Sequence, residues 1–178
     1  MNMTTQILLA GSGGQGILFA GKFLAYAGLL EGKEVSWLPS YGPEMRGGTA
    51  NCSVILSDGA VGSPIVQHPD VLIAMNLPSY LRFMPAIVPG GILLADSALI
   101  GERCTREDIT VIELPATQMA YDEGLTGLAN IILVGRLLKE AALIAPETVE
   151  RAMEKCIPPK KADMLALNLR AIALGFGN

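Results

Sequence analysis

The stretch that decides the fold is Ile7-Leu8-Leu9-Ala10-Gly11-Ser12-Gly13-Gly14-Gln15-Gly16. An apolar run that breaks into glycines, followed by a long apolar segment ending at Gly32, reads as strand, tight turn and helix. Strand one is predicted over Gln6–Ala10 and helix one over Gly14–Leu30, with Gly32 as its C-terminal glycine. Gly11, Gly13 and Gly16 match the G-x-G-x-x-G spacing of dinucleotide folds. In such a turn backbone N–H groups can approach an anion, and the helix N-terminus adds about half a positive charge.

A second glycine-rich loop follows the next predicted strand, Glu34–Leu38. It reads Ser40-Tyr41-Gly42-Pro43-Glu44-Met45-Arg46-Gly47-Gly48. Successive strand ends in such units lie side by side on one sheet edge, where these folds bind ligands. The two loops together therefore predict a site for a phosphate-bearing ligand, with Arg46 as a guanidinium suited to two-pronged phosphate contact.

The full dinucleotide fingerprint also needs an acid at the end of strand two, to hold a ribose hydroxyl. That end reads Trp37-Leu38-Pro39-Ser40, without one. The competing reading is that the glycines serve only close strand–helix contact.

Further strands are expected at Thr49–Ser57, at Val71–Asn76, from Gly91 to Ala95 and from Val111 to Leu114. A helix follows Pro78, bounded by Pro85 and Pro89. Others are expected over Pro115–Asp122, Leu125–Leu143 and Glu147–Cys156, and over Lys161–Leu174, ended by Gly175. Alternating strands and helices argue for a single α/β domain over residues 1–178, a Rossmann-like three-layer α/β/α fold with a largely parallel sheet. Thr49–Ser57 follows strand two with no helix between, so it is the candidate for an antiparallel neighbour, which would make the sheet mixed.

Of the 178 residues, 51% are hydrophobic and 17% charged, against about 25% charged in ordinary soluble domains. Between Gly47 and Leu81 the only formal charges are Asp58 and Asp70. Such a stretch argues for an oligomer subunit whose surface is covered by a partner. The net charge of −4 gives no support to nucleic-acid binding. Lys160-Lys161, after two prolines, reads as a solvated linker. There is no apolar run long enough for a membrane span and no basic region before the first apolar run, so a cytoplasmic protein is expected.

The three cysteines, Cys52, Cys104 and Cys156, are too few and too far apart for a metal site or an iron–sulfur cluster held by this chain alone. His68, the single histidine, sits in a turn-like context. No Walker loop and no Gly-x-Ser-x-Gly nucleophile elbow appear. The chain reads as a binding subunit without a catalytic set of its own.

Both glycine loops, together with Cys52-Ser53-Val54-Ile55-Leu56-Ser57, Leu114-Pro115-Ala116-Thr117 and Gly127-Leu128-Ala129-Asn130, resemble the gamma subunit of the 2-oxoacid:ferredoxin oxidoreductases. The resemblance runs from about Thr5 to Leu174. It implies oxidative decarboxylation of a 2-oxoacid to an acyl-CoA with electrons passed to ferredoxin. Thiamine diphosphate and iron–sulfur clusters would sit on partner chains: alpha and beta subunits and a ferredoxin-like subunit or domain. This chain would help bind coenzyme A and assemble a hetero-oligomer, with a homodimer as its form when alone. Residues carried over to the coenzyme A site are Gly11, Ser12, Gly13, Gly14, Gln15 and Gly16, then Arg46, Gly47 and Gly48, then Asn130. No catalytic residue and no metal ligand is assigned. Asn130 is equally readable as a loop brace, and the second loop as a subunit interface. Among pyruvate, branched-chain 2-oxoacids and 2-oxoglutarate, the Met-Arg-Gly-Gly-Thr-Ala form most resembles the 2-oxoglutarate type. The alternative class is a stand-alone nucleotide-binding regulatory module.

Overall fold

The structure, a computed structural model, describes residues 3–41 and 49–177. In chain order the elements are β1 (Thr4–Ser12), α1 (Ile17–Leu30), β2 (Glu34–Tyr41), β3 (Thr49–Ser57), β4 (Val71–Ala74), α2 (Leu77–Phe83), β5 (Ile92–Asp96), β6 (Thr110–Leu114), α3 (Ala116–Asp122), α4 (Ala129–Ala141), α5 (Pro146–Cys156) and α6 (Ala162–Gly177), with short 3-10 turns at Met84–Ala86 and Pro159–Lys161.

The strands form one sheet in the order β2-β3-β1-β4-β5-β6. β1, β4, β5 and β6 are paired in parallel. β3 is antiparallel to both β1 and β2. The expected mixed, largely parallel α/β sheet is therefore present, and its antiparallel member is Thr49–Ser57. β2 and β3 form a hairpin. Because β2 lies two places from β1, its C-terminal end returns to the same edge as that of β1: Tyr41 pairs with Ala50 and Ser12 with Thr49.

The two faces are covered unequally. Ile7, Leu9, Val54, Leu56, Ile73 and Leu94 face a large core completed by α1, α3, α4, α5 and α6. Leu8, Ala10, Ile55, Leu72, Leu93 and Ala95 face a smaller one closed by Tyr80 of α2 and the loop residues Val66 and Ile100. β4 is buried along its whole length, as a central parallel strand requires. β2 is an edge strand with no fully buried residue. That position accommodates Pro39, whose missing N–H would break a ladder inside the sheet.

Three helix boundaries differ from the sequence reading by three residues or more, and others by one or two. α1 starts at Ile17, because Gly13–Gly16 are used in the turn. α4 starts at Ala129, four residues late, because Leu125–Leu128 form a turn closed by Leu128 N–H donating to the Leu125 carbonyl at 2.9 Å. α6 continues through Gly175, which is buried inside the helix rather than ending it. A Cβ at Gly175 would run into the carbonyl oxygen of Ile132, and one at Gly135 into that of Ile172. Both glycines let the backbones of α4 and α6 touch.

Among the described residues no helix is long and apolar enough to cross a membrane. Also among them, no group of three or more His, Cys, Asp or Glu side chains could hold a metal ion.

Candidate functional site

Three of the parallel strands lead into polar residues on one edge: Ser12 closes β1, Asn76 lies two residues past β4 and Asp96 closes β5. Each is built into the scaffold. Asn76 caps α2 by accepting from Ser79 N–H at 2.9 Å, and its Nδ2 donates to Ser12 Oγ at 2.6 Å. That bond ties β1 to β4 where α1 leaves toward one face of the sheet and α2 toward the other. Such a switch in direction opens a crevice at the strand ends. Asp96, wholly buried, accepts from Thr117 N–H at 3.2 Å and Thr117 Oγ1 at 2.5 Å. It anchors the first turn of α3, which gives Thr117 its place in the Leu114-Pro115-Ala116-Thr117 run.

The first glycine loop is held from inside. Gln15 Oε1 accepts from Ser12 N–H at 2.7 Å and Gln15 Nε2 donates to the Met75 carbonyl at 2.8 Å. A Cβ at Gly11 would meet Gln15 Oε1 at 2.5 Å and Ile17 Cδ1 at 2.9 Å. Gly16 caps α1 in the left-handed region, φ 72°. Its carbonyl accepts from Asn130 Nδ2 at 2.9 Å, and a Cβ there would collide with that amide. Gly14 differs: φ is 95° and nothing lies within 4 Å of where its Cβ would be.

Gln15 and Asn130 therefore both act as loop braces. Ser12 Oγ accepts from Asn76 and keeps its own proton to donate. Gly14 lines the crevice of about 280 Å³ between the loop, Met75, Leu99, Thr117, Tyr121 and Thr126. Gly13 lies in the turn between Ser12 and Gln15. Arg46, Gly47 and Gly48 lie outside the described residues. The residues that flank them, Tyr41 and Thr49, stand at the level of Ser12 on the same edge.

Asn76 and Asp96 escaped the sequence reading. The available signal was a polar residue directly after an apolar run, twice, at Met75-Asn76 and Ala95-Asp96.

The two buried cysteines, Cys52 and Cys156, are not reactive centres. Burial pushes the Cys52 thiol up to about 12 and the Cys156 thiol up to about 11, so neither provides thiolate near neutral pH. His68 is exposed.

A mixed α/β sheet with a braced glycine turn at a switch-point crevice places the chain among the doubly wound α/β domains. Residues 6–177 match the family described as pyruvate ferredoxin/flavodoxin oxidoreductase, and the chain belongs to that family. It is 33% identical to 2-oxoglutarate synthase subunit KorC of Methanocaldococcus jannaschii, over 99% of this chain and 94% of that one. It is 36% identical to ketoisovalerate oxidoreductase subunit VorA of Methanothermobacter thermautotrophicus, over 96% of this chain but only 35% of that one. The chain thus spans about a third of the length of that relative. Among solved structures, the gamma subunit of a keto/oxoacid ferredoxin oxidoreductase from Geobacter sulfurreducens superposes with a TM-score of 0.82 at 28% identity, covering 97% of this chain and 96% of the other. The 2-oxoglutarate:ferredoxin oxidoreductase of Magnetococcus marinus, solved with 2-oxoglutarate, coenzyme A and succinyl-CoA bound, gives a TM-score of 0.84 at 26% identity, over 97% of this chain and 30% of that one.

Proposed function

We propose that this chain is the gamma subunit of a thiamine-diphosphate-dependent 2-oxoacid:ferredoxin oxidoreductase, and that it contributes one wall of the coenzyme A site without performing the decarboxylation. The observation that carries this reading is the shared edge. The open backbone at Gly14, the N-terminus of α1 and both ends of the Arg46 loop converge on the C-terminal side of β1, β2 and β4. An anionic ligand there meets the N–H groups of the loop and helix start, and Arg46, assigned from the resemblance, is its guanidinium partner. β2, the outermost strand that leads to this edge, carries exposed Trp37 and Leu38 along its length and Tyr41, 62% exposed, at its end. Aromatic and apolar side chains beside a ligand loop suit an interface with alpha and beta subunits. Thiamine diphosphate and the iron–sulfur clusters belong on those partners, and ferredoxin is the electron acceptor. The oxoacid is assigned as 2-oxoglutarate, in keeping with the Met-Arg-Gly-Gly-Thr-Ala run and the KorC relatives.

Co-expression with the chains encoded beside it tests the reading. A complex that reduces ferredoxin with 2-oxoglutarate and coenzyme A, and loses that activity when this chain is omitted, is expected. The pure chain should form no acyl-CoA. A chain that stays alone and binds only free nucleotide would instead support a regulatory module.

A further inference from the structure

β2 ends the sheet, with no strand of the described residues on its outer side. The register fixes which of its backbone groups face outward. Asp58 N–H donates to the Met3 carbonyl at 3.0 Å, so β3 turns its even-numbered residues toward β1 and its odd-numbered residues toward β2. Ser57, Ile55, Ser53 and Asn51 are therefore the hydrogen-bonded partners of Glu34, Ser36, Leu38 and Ser40. Val35, Trp37, Pro39 and Tyr41 turn their backbone groups away from the sheet. Among the described residues, the N–H groups of Val35 and Trp37 have no hydrogen-bond partner.

Open edges are ordinarily guarded by lysines, bulges or proline. β2 contains no lysine, pairs with β3 without a bulge and has one proline. Pro39 removes one outward donor and leaves those of Val35, Trp37 and Tyr41. Side chains alternate along the strand. Val35 and Trp37 lie over α1, at Gly28 and Gly21. Leu38 lies on the opposite face and is 39% exposed.

We infer that β2 pairs antiparallel with β2 of a second copy of this chain, about a two-fold axis through Leu38, so that two sheets join into one. In that register Val35 meets Tyr41 of the partner subunit, and Trp37 meets Pro39 of the partner subunit. Every outward N–H then finds a carbonyl. Val35 and the partner's Tyr41 exchange both bonds; Trp37 donates to the partner's Pro39, which has no N–H to return. The next allowed register in either direction carries Tyr41 or Val35 past the end of the partner strand. Leu38 falls at a non-hydrogen-bonded position opposite its own copy, where Cα atoms stand about 4.5 Å apart. The exposed apolar side chains of β2 are all used: Leu38 on Leu38, Trp37 on proline and Tyr41 on valine. Such cross-strand pairs are what stabilise a sheet. A surface that complements itself in backbone and side chains fits a two-fold dimer. The inference concerns the chain on its own and does not rest on the coenzyme A reading; in the assembled enzyme proposed above, alpha and beta subunits would replace the second copy on this strand.

Sedimentation of the full chain without other subunits, from micromolar to submillimolar concentration, tests this. A dimer is expected. Leu38→Lys sets two ammonium groups opposite each other on the axis, and should give a monomer with unchanged circular dichroism. Leu38→Cys reads the register. The spacing there suits a disulfide, so oxidation with diamide should link two chains, with the wild-type chain and its native cysteines as the control. Ser36→Cys should not link to itself, whereas a mixture of Ser36→Cys and Ser40→Cys chains should link one to the other. A monomer at every concentration would overturn the proposal. So would a dimer that Leu38→Lys leaves intact, or self-linking of Ser36→Cys as fast as that of Leu38→Cys. A monomeric chain whose Leu38→Lys variant fails to join alpha and beta subunits would give the strand to those subunits alone, and would also overturn it. None of these outcomes bears on the Arg46 test of the coenzyme A reading.

Discussion

The glycines of the α4–α6 contact and those of the first loop look alike in sequence and serve opposite ends. Gly135 and Gly175 are buried where two helix backbones meet, and the protein itself fills the space a side chain would take. Gly14 stands in a left-handed turn with open space around it. Gly11 and Gly16 belong with the first pair, since Gln15, Ile17 and Asn130 occupy their side-chain positions. The glycine-rich run from Gly11 to Gly16 thus mixes two physical causes. The residue most open to an incoming ligand, Gly14, is not one of the three in the spacing.

Substitutions should separate the two kinds. The largest effect is expected from Gly175→Ala, where backbone rather than a flexible side chain blocks the methyl group. A loss of about 3 kcal/mol, the upper part of the usual overpacking range, should appear in urea denaturation. A wild-type midpoint would show that α4 and α6 can move apart freely. Gly16→Ala comes next. It combines the left-handed strain, about 1–2 kcal/mol, with displacement of the Asn130 amide. Gly14→Ala has the strain without the collision, so its stability loss should be smaller than that of Gly16→Ala. Equal losses would break the distinction. Asn76→Ala removes both the α2 cap and the tie to Ser12, and should cost about 1 kcal/mol, read as a lowered denaturation midpoint.

The buried cysteines give a weaker test, on the α1 flank. Their folded-state values lie above the ordinary thiol value, so the neutral form is the one folding favours. Their stabilising contribution is complete below about pH 9 and is lost as pH climbs toward about 12 for Cys52 and about 11 for Cys156. Stability should fall by up to about 1.4 kcal/mol per pH unit per thiol in that window. Cys52→Ala should flatten part of the slope. An unchanged slope in the double variant Cys52→Ala, Cys156→Ala would remove the thiols as its cause.

The strand–glycine–helix opening and the antiparallel Thr49–Ser57 strand were legible in the sequence because each is local: apolar runs, punctuation and a missing helix between two strands. The resemblance to gamma subunits was legible through the second loop. What could not be read was how side chains divide their hydrogen bonds. Gln15 and Asn130 look like ligand contacts in a motif, yet both amides are tied to backbone carbonyls, at Met75 and Gly16, that come from other parts of the chain. Gly175 looks like a helix stop because a C-terminal glycine is common; only the proximity of Ile132 makes it an interior contact. Asn76 and Asp96 needed the sheet order to bring them to the edge that holds Ser12.

The central claim is that the edge formed by the two loops holds coenzyme A in the assembled enzyme. The most direct measurement is the KM for coenzyme A of the complex carrying Arg46→Ala. A hydrogen bond to a charged group contributes about 1.5–3 kcal/mol, so the KM should rise by about one to two orders of magnitude. The KM for the 2-oxoacid and kcat should stay near wild type, as for a contact made equally in ground and transition states. Arg46→Lys should recover part of the loss, since the charge remains and the fork does not. A complex that assembles normally with Arg46→Ala and keeps the wild-type KM for coenzyme A would contradict the account.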